Sequence, residues 1–378
     1  MSKSLIVKIR GLFSENGSRT RTSKEIKPSD RWLMVSVILL SIIGILSVYE
    51  SSVVIAIRDF SNQFYYVKEQ AQWFIVGLIL MILLSFVNYH RYYALSLPFL
   101  LVSIASLLTV FIPGIGVIAY GAHRWVNIGF INFQPAELTK LSIVVYLAAW
   151  FSYPEKRRLT AFLLLLASVV GLVVVEPDLG TAVIILMTSL LMYFYSGAAL
   201  VYFLFIVPIL FTAVTGLVLM APYRAKRLMS FLNPESDPLG SSYQIHQILL
   251  ALGSGGWFGV GIGKSRQKYA YLPEANTDSI FAIIGEEIGF IGSLFVIGLF
   301  VFLIWRGFRI AHRTKDKFGR LLALGITSWI SVQTVLNLAS TVALVPLTGV
   351  PLPFVSYGGS SLVILLSAIG ILLNISRQ

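Results

Sequence analysis

The 378-residue sequence contains no cysteine, which excludes a disulfide framework, a thiolate nucleophile and any cysteine-based metal site. Charge is also scarce. Asp, Glu, Lys and Arg together make up 12% of the chain, about half of what a water-facing surface carries, so a soluble globular fold is excluded. Apolar residues take their place, at 57% of the sequence, and the mean hydropathy is +0.83. They fall into blocks of ~18–25 residues, long enough to cross a hydrocarbon core ~30 Å thick. The expected fold class is therefore all-α: a polytopic integral membrane protein of about ten transmembrane helices. The spans are expected at 32–49, 71–89, 94–117, 136–152, 160–176, 180–196, 198–221, 279–305, 321–344 and 359–375.

The net charge of +12 would suit a nucleic-acid binder, but its distribution argues for topology instead. Lys3, Lys8, Arg10, Arg19, Arg21, Lys24, Lys27 and Arg31 precede the first span. Arg91, the run Lys156-Arg157-Arg158, and the cluster Arg306, Arg309, Arg313, Lys315, Lys317 and Arg320 occupy alternate gaps between spans, and Arg377 follows the last. Lys and Arg in short loops stay cytoplasmic, so both termini are placed inside and no nucleic-acid partner is expected. The first apolar run is a full span with no small-residue cleavage site, so it reads as a retained helix rather than a secretory signal. Residues 1–31 are expected to be a basic, disordered cytoplasmic tail, and 32–378 a transmembrane domain with a long outer loop at 222–278.

That loop carries Arg224, Lys226, Arg227, Lys264, Arg266 and Lys268 against the inside-positive trend, together with Trp257, Phe258, Tyr269 and Tyr271. Loops of more than ~15 residues in a compact protein are usually functional, and cations beside a lipid surface suit a phosphate or pyrophosphate. Attraction to anionic headgroups is the competing explanation. The stretch Gly259-Val260-Gly261-Ile262-Gly263-Lys264-Ser265 looks like a nucleotide-binding loop but fails the pattern, because its first glycine position is Phe258. It reads as a glycine-rich turn, and no nucleotide is expected.

Further polar residues lie at membrane depth. Glu137 and Lys140 share one face of a helix beginning after Pro135, and an internal ion pair resolves the cost of their charges. Arg124 lies upstream in the same polar segment, and Asp178, in Glu176-Pro177-Asp178, falls between two closely spaced spans. From Val345 to Ser361, Pro346, Pro351 and Pro353 forbid a continuous helix, which predicts a re-entrant turn lining a cavity. Ser356, Gly358, Gly359 and Ser360 there offer an anion seat at a helix start. Asp278 ends the cationic loop just before a long span, where a carboxylate can take a proton from a sugar hydroxyl or simply cap a helix.

Read in order, HRWVNIGFINFQPAELTK, EPDLGTA, the 223–268 stretch beginning YRAKRLMSF, YLPEANTDSIFAIIGEE and GVPLPFVSYGGSSL resemble the SEDS family of shape, elongation, division and sporulation proteins. LPEA, IIGEE, GSSL and the basic tail resemble its division branch more than its elongation branch. The resemblance implies a peptidoglycan glycosyltransferase that polymerises lipid II on the outer face of the cytoplasmic (inner) membrane. It implies inversion at the donor sugar and release of undecaprenyl pyrophosphate. On this pattern Asp278 falls on the catalytic aspartate, while Arg124, Arg224, Lys226, Lys264 and Ser356 are candidates for holding substrate and pyrophosphate. Glu137, Lys140 and Asp178 are expected to shape the cavity. A Mg²⁺ or Mn²⁺ ion could share the pyrophosphate charge. A class B penicillin-binding protein and division-complex proteins are the implied partners. The chain departs from the pattern at Asn276, where the family usually has His, and at Ser279, where it has an aromatic. A lipid II flippase and a recruiting scaffold remain alternatives.

The charge pattern generates a direct topological test. Fluorescent-protein fusions at either terminus should fluoresce, and alkaline phosphatase inserted within 222–278 should be active; the reverse pattern would invert the assigned orientation.

Overall fold

The computed structural model describes residues 28–119, 122–129, 131–153, 158–233, 237, 240, 242–269 and 271–377. Most of the expected basic tail, residues 1–27, lies outside the described residues. Three helices open the fold, α1 (Arg31–Phe60), α2 (Tyr65–Phe86) and α3 (His90–Thr109). A small sheet of β1 (Gly116–Ala119), β2 (Ala122–Ile128) and β3 (Ile131–Phe133) follows. Then come α4 (Pro135–Ser152), α5 (Leu159–Val175), α6 (Leu179–Tyr195), α7 (Leu200–Met220) and two short helices, α8 (Pro222–Leu232) and α9 (Tyr243–Gly255). The chain closes with α10 (Ile280–Arg313), α11 (Lys317–Thr341) and α12 (Gly359–Ser376).

Every expected span falls on one of these helices. Seven are long and apolar enough to cross a membrane by length and composition. The apolar α5 and α6, at 17 residues each, are shorter, and the 18-residue α4 carries Glu137 and Lys140. Large apolar side chains such as Leu204, Phe211, Phe295 and Ile79 are exposed around the bundle, as a lipid-facing surface requires. Inside, helices approach through small and hydroxyl residues, with Ser103 and Ser142 Oγ atoms 2.6 Å apart between α3 and α4. The two central helices are α4 and α11, whose side chains are mostly buried.

One expectation needs correction. The third span does not run to residue 117: α3 stops at Thr109, and Pro113, Gly114 and Gly116 turn the chain into the antiparallel sheet, ordered β1-β2-β3, with Val117 opposite Trp125 and Asn127 opposite Asn132. The loop 222–278 contains two helices, α8 and α9. Pro222 starts α8, where its missing N–H costs nothing.

The glycine-rich turn after α9 has a structural task. Helix α10 breaks at Gly289 (φ 69°, ψ −170°), so Phe290 and Ile291 donate not to their own helix but to the carbonyls of Gly256 (2.9 Å) and Trp257 (3.2 Å). The carbonyls thereby released, on Glu286 and Glu287, accept from Val260 N (3.0 Å) and Gly261 N (3.1 Å). The turn splices the broken helix by giving each of these four peptide groups a partner. The backbones meet so closely that a Cβ on Gly259 or Gly289 would overlap main-chain atoms of the other segment. Side chains reinforce the splice: Glu286 accepts from Ser265 Oγ and Arg266 N, and Lys268 Nζ reaches Glu50 at 3.0 Å.

At the opposite end of the bundle, Asp30 caps α1 by accepting from Leu33 N (3.0 Å) and pairs with Arg306 of α10, whose Nε lies 3.0 Å away.

Replacing Gly289 by Ala combines a left-handed backbone with overlap on Gly259, and should destabilise the protein by about 1–3 kcal/mol. Thermal melting in detergent checks this, with Gly298→Ala, whose Cβ would meet open space, as the silent control.

Candidate active site

Asp278 sits where α10 begins, and the main chain leading into the helix is held on three successive carbonyls. That of Asn276 accepts from Tyr357 N at 2.8 Å, that of Thr277 from Ser356 Oγ at 2.6 Å, and that of Asp278 from Asn337 Nδ2 at 2.9 Å. Two of these donors belong to the irregular segment between α11 and α12, the re-entrant piece that the three prolines predict. The third comes from α11.

The carboxylate of Asp278 is partly buried. Thr277 Oγ1 lies 3.2 Å from Asp278 Oδ1 and 2.7 Å from Glu274 Oε2, so one hydroxyl proton serves two carboxylates. Burial, and then the neighbouring Glu274 charge, push Asp278 up to about 6, while Arg227 pulls the other way. Arg227 reaches this site from α8. Its Nη1 donates to Leu347 O at 3.1 Å. At Gly349 (φ 69°) an added Cβ would lie 3.6 Å from Arg227 Nη1 and 4.0 Å from Asp278 Oδ2. Cation and carboxylate thus face one gap, kept open by the missing side chain. Beside it lies a cavity of about 570 Å³ lined by Lys226, Arg227, Tyr243, Gln244, Pro273 and Leu347. Gln244 Nε2 also donates to Ser279 Oγ at 3.1 Å, tying the cavity wall to the start of α10.

The other residues singled out in the sequence are placed as follows. Lys226 lines the cavity; Arg224, also on α8, turns back to Leu217 O at 3.4 Å. Lys264 is exposed on the splicing turn, beside Glu287, and the run of α10 from Asp278 to Glu287 spans ~14 Å. Arg124, on β2, clasps the carbonyls of Glu176 and Pro177 and so ties the sheet to the α5–α6 turn. Asp178 caps α6, accepting from Thr181 N (3.1 Å), Thr181 Oγ1 (2.9 Å) and Gln134 Nε2 (3.2 Å). The Ser356 hydroxyl is committed to Thr277 O and Leu352 N, which fixes the re-entrant turn to the base of α10.

Glu137 and Lys140 form the buried ion pair, at 2.8 Å, with both side chains almost wholly out of solvent. Lys140 Nζ donates a second bond to Gln333 Oε1 at 3.0 Å and lies 5.3 Å over the Trp329 ring. Removing either charge would leave the other buried and uncompensated, at a cost of about 3–5 kcal/mol.

Sequence reasoning left Arg227 among the loop's general charge and missed Gln333 and Asn337 entirely. The signal for the latter pair was available: two amides four residues apart in an apolar span, hence on one helix face. Among the described residues no group of three or more His, Cys, Asp or Glu side chains is placed to hold a metal ion. Asp278 and Glu274 are carboxylates at the gap, and Asp237 lines the cavity beside it.

Comparison with known proteins extends the likeness beyond the site. The FtsW/RodA/SpoVE family model, described as cell cycle protein, matches residues 30–378. The chain is 41% identical over 363 residues to stage V sporulation protein E of Bacillus subtilis, covering 94% of this chain and 99% of that one. It is 41% identical over 355 residues to a probable peptidoglycan glycosyltransferase FtsW of Trichlorobacter lovleyi, covering 92% and 93%. Among solved structures it superposes on a chain described under "Structural coordination of polymerization and crosslinking by a peptidoglycan synthase complex" with a TM-score of 0.75 at 28% identity, covering 92% and 98%. Thermus thermophilus rod shape determining protein RodA superposes with a TM-score of 0.68 at 28% identity, covering 92% and 97%.

The raised pKa of Asp278 has a consequence for stability. Its value in the fold, about 6, lies above the ordinary 3.8, so folding favours the protonated form and the ionised carboxylate weighs against the folded state. That penalty is complete above about pH 6 and vanishes below about pH 4. Asp278→Asn should therefore melt higher than wild type at about pH 7.5, with the margin shrinking to nothing as pH falls through that window. A margin that stays constant across the range would contradict the assignment.

Proposed function

The chain belongs to the FtsW/RodA/SpoVE family and is a multi-pass membrane protein and a peptidoglycan glycosyltransferase; we propose that Asp278 is the base of its transfer reaction and that Arg227 and Lys226 hold the departing pyrophosphate. The observation that carries this reading is the opposition of Asp278 and Arg227 across Gly349, at the edge of a cavity large enough for sugar units.

The substrate class that fits is lipid II. In the proposed step the 4-hydroxyl of an acceptor GlcNAc attacks the anomeric carbon of a donor MurNAc. The hydroxyl proton passes to the Asp278 carboxylate as the new C–O bond forms. The bond from the anomeric carbon to the pyrophosphate oxygen breaks, and undecaprenyl pyrophosphate leaves with the electron pair. A single displacement on an α-linked donor yields a β-1,4 product. A base with a pKa of about 6 is ionised at neutral pH yet retains proton affinity, the compromise general-base catalysis favours. Pyrophosphate needs charge stabilisation more than protonation, which cations at fixed positions provide. A Mg²⁺ or Mn²⁺ ion arriving with the substrate would add to the charge stabilisation of the pyrophosphate.

Glu137 and Lys140 tie α4 to α11 and Asp178 caps α6, and their contacts give them no share in the bond chemistry. We further propose that the Asp278 end of the bundle faces outward, that both termini are cytoplasmic, and that the chain works in septal wall synthesis with a class B penicillin-binding protein. The likeness to a chain of a peptidoglycan synthase complex supports the last point.

Purified with such a partner, the wild-type chain should polymerise lipid II into glycan strands. Asp278→Ala should make none at equal folding and partner binding. Arg227→Ala should lose about 100-fold in kcat/KM, the worth of one charge-stabilising donor, and Arg224→Ala should stay within about threefold. Equal strand synthesis by wild type and Asp278→Ala would discard the base assignment; an intact complex that makes none in any form would favour lipid II transport instead.

A further inference from the structure

Helix α11 carries Trp329, Gln333 and Asn337 at four-residue intervals, on one face directed into the bundle. All three are buried. Gln333 Oε1 accepts from Trp329 Nε1 (2.9 Å) and from Lys140 Nζ (3.0 Å), and its Nε2 donates to Pro351 O at 2.9 Å. One turn further, Asn337 Nδ2 donates both of its protons, to Val350 O at 2.7 Å and to Asp278 O at 2.9 Å. Its Oδ1 is buried without a hydrogen-bond partner among the described residues. A buried, unsatisfied acceptor costs about 1–3 kcal/mol, so the residue is retained for its two donors.

From this geometry we propose that Asn337 is a positioning residue for Asp278, fixing the carboxylate relative to Arg227 through the segment Leu347–Val350. The inference rests on the reading of Asp278 as base. The logic is one of a common ruler. Arg227 is anchored to Leu347 O, three residues before Val350. Asn337 joins Val350 O to Asp278 O through a single nitrogen, so the two main chains are held apart by the span of one amide group. The base and the cation are therefore referenced to the same short piece of backbone, with Gly349 between them. Gln333 ties the next residue, Pro351, to the Glu137–Lys140 pair, so this ruler is itself bolted to the bundle's centre. A displacement of about 1 Å at a reacting group can cost about 100-fold in rate, so a residue that sets this spacing acts on kcat rather than on substrate affinity.

The test uses the full-length chain with its penicillin-binding partner and lipid II, comparing wild type, Asn337→Leu, Asn337→Ser and Asp278→Asn. Leu keeps the volume and removes both donors; Ser keeps one donor. Asn337→Leu should lower kcat about 10- to 100-fold with KM within about twofold, and Ser should fall between it and wild type. The acid limb of kcat should also move to lower pH in Asn337→Leu, as Asp278 swings toward water while still facing Glu274, Arg227 and the Thr277 hydroxyl. A residue that only stabilises the fold would lower the melting temperature and leave both kcat per folded molecule and the acid limb unchanged; that result would overturn the proposal, as would a rise in KM alone. Should Asn337→Leu not fold, Asn337→Ser is read by the same criteria. Strand synthesis by Asp278→Asn would remove the underlying reading; an inactive Asp278→Asn beside a wild-type Asn337→Leu would remove only the positioning role.

Discussion

The segment between α11 and α12 has no helix to satisfy its own peptide groups, and backbone of that kind persists at membrane depth only where protein supplies the missing partners. Here the partners come from every side. Gln70 of α2, fully buried, donates to Ser356 O and accepts from Gly358 N. Gln333 and Asn337 of α11 take the carbonyls of Pro351 and Val350, and Arg227 of α8 takes that of Leu347. The segment in turn gives Ser356 Oγ and Tyr357 N to the carbonyls below Asp278. Its need for hydrogen bonds is thus what draws α2, α8, α10 and α11 together. Asp278 stands where this network reaches the start of α10.

The same constraint explains the glycine-rich turn. A break in α10 at Gly289 releases two carbonyls and two N–H groups, and the turn returns one partner to each. Glycines recur there because two backbones run in contact, a reason unrelated to phosphate. The result is a loop that anchors the end of α9, and α9 carries the Tyr243 and Gln244 wall of the cavity.

Legibility in the sequence followed how local the physics was. Span positions other than the end of the third, the Glu137–Lys140 pair and the irregular segment before α12 could be read, because hydropathy, i,i+3 spacing and proline are properties of short windows. The sheet after α3 was not foreseen, because an apolar run through Val110 and Ile112 masks the break imposed by Pro113 and Gly114. The cations of 222–278 could be gathered only as a class. Folding separates them: Arg227 turns to Asp278, Arg224 back toward α7, and Lys264 onto the splice. Ser356 is a similar case, with its hydroxyl placed between Thr277 O and Leu352 N.

By itself the sequence determined that this chain lives in a membrane, which segments cross the apolar core, and which family chemistry its motifs imply. Those properties depend on composition and on spacing within a few helical turns. The tertiary structure alone decided which cation faces Asp278, that Gly349 leaves the gap between them, and that Gln333 and Asn337 connect a buried ion pair to the main chain of Asp278. Each of those relations joins residues separated by long stretches of sequence, and hydrogen-bond geometry at 2.7–3.1 Å exists only once the helices have packed.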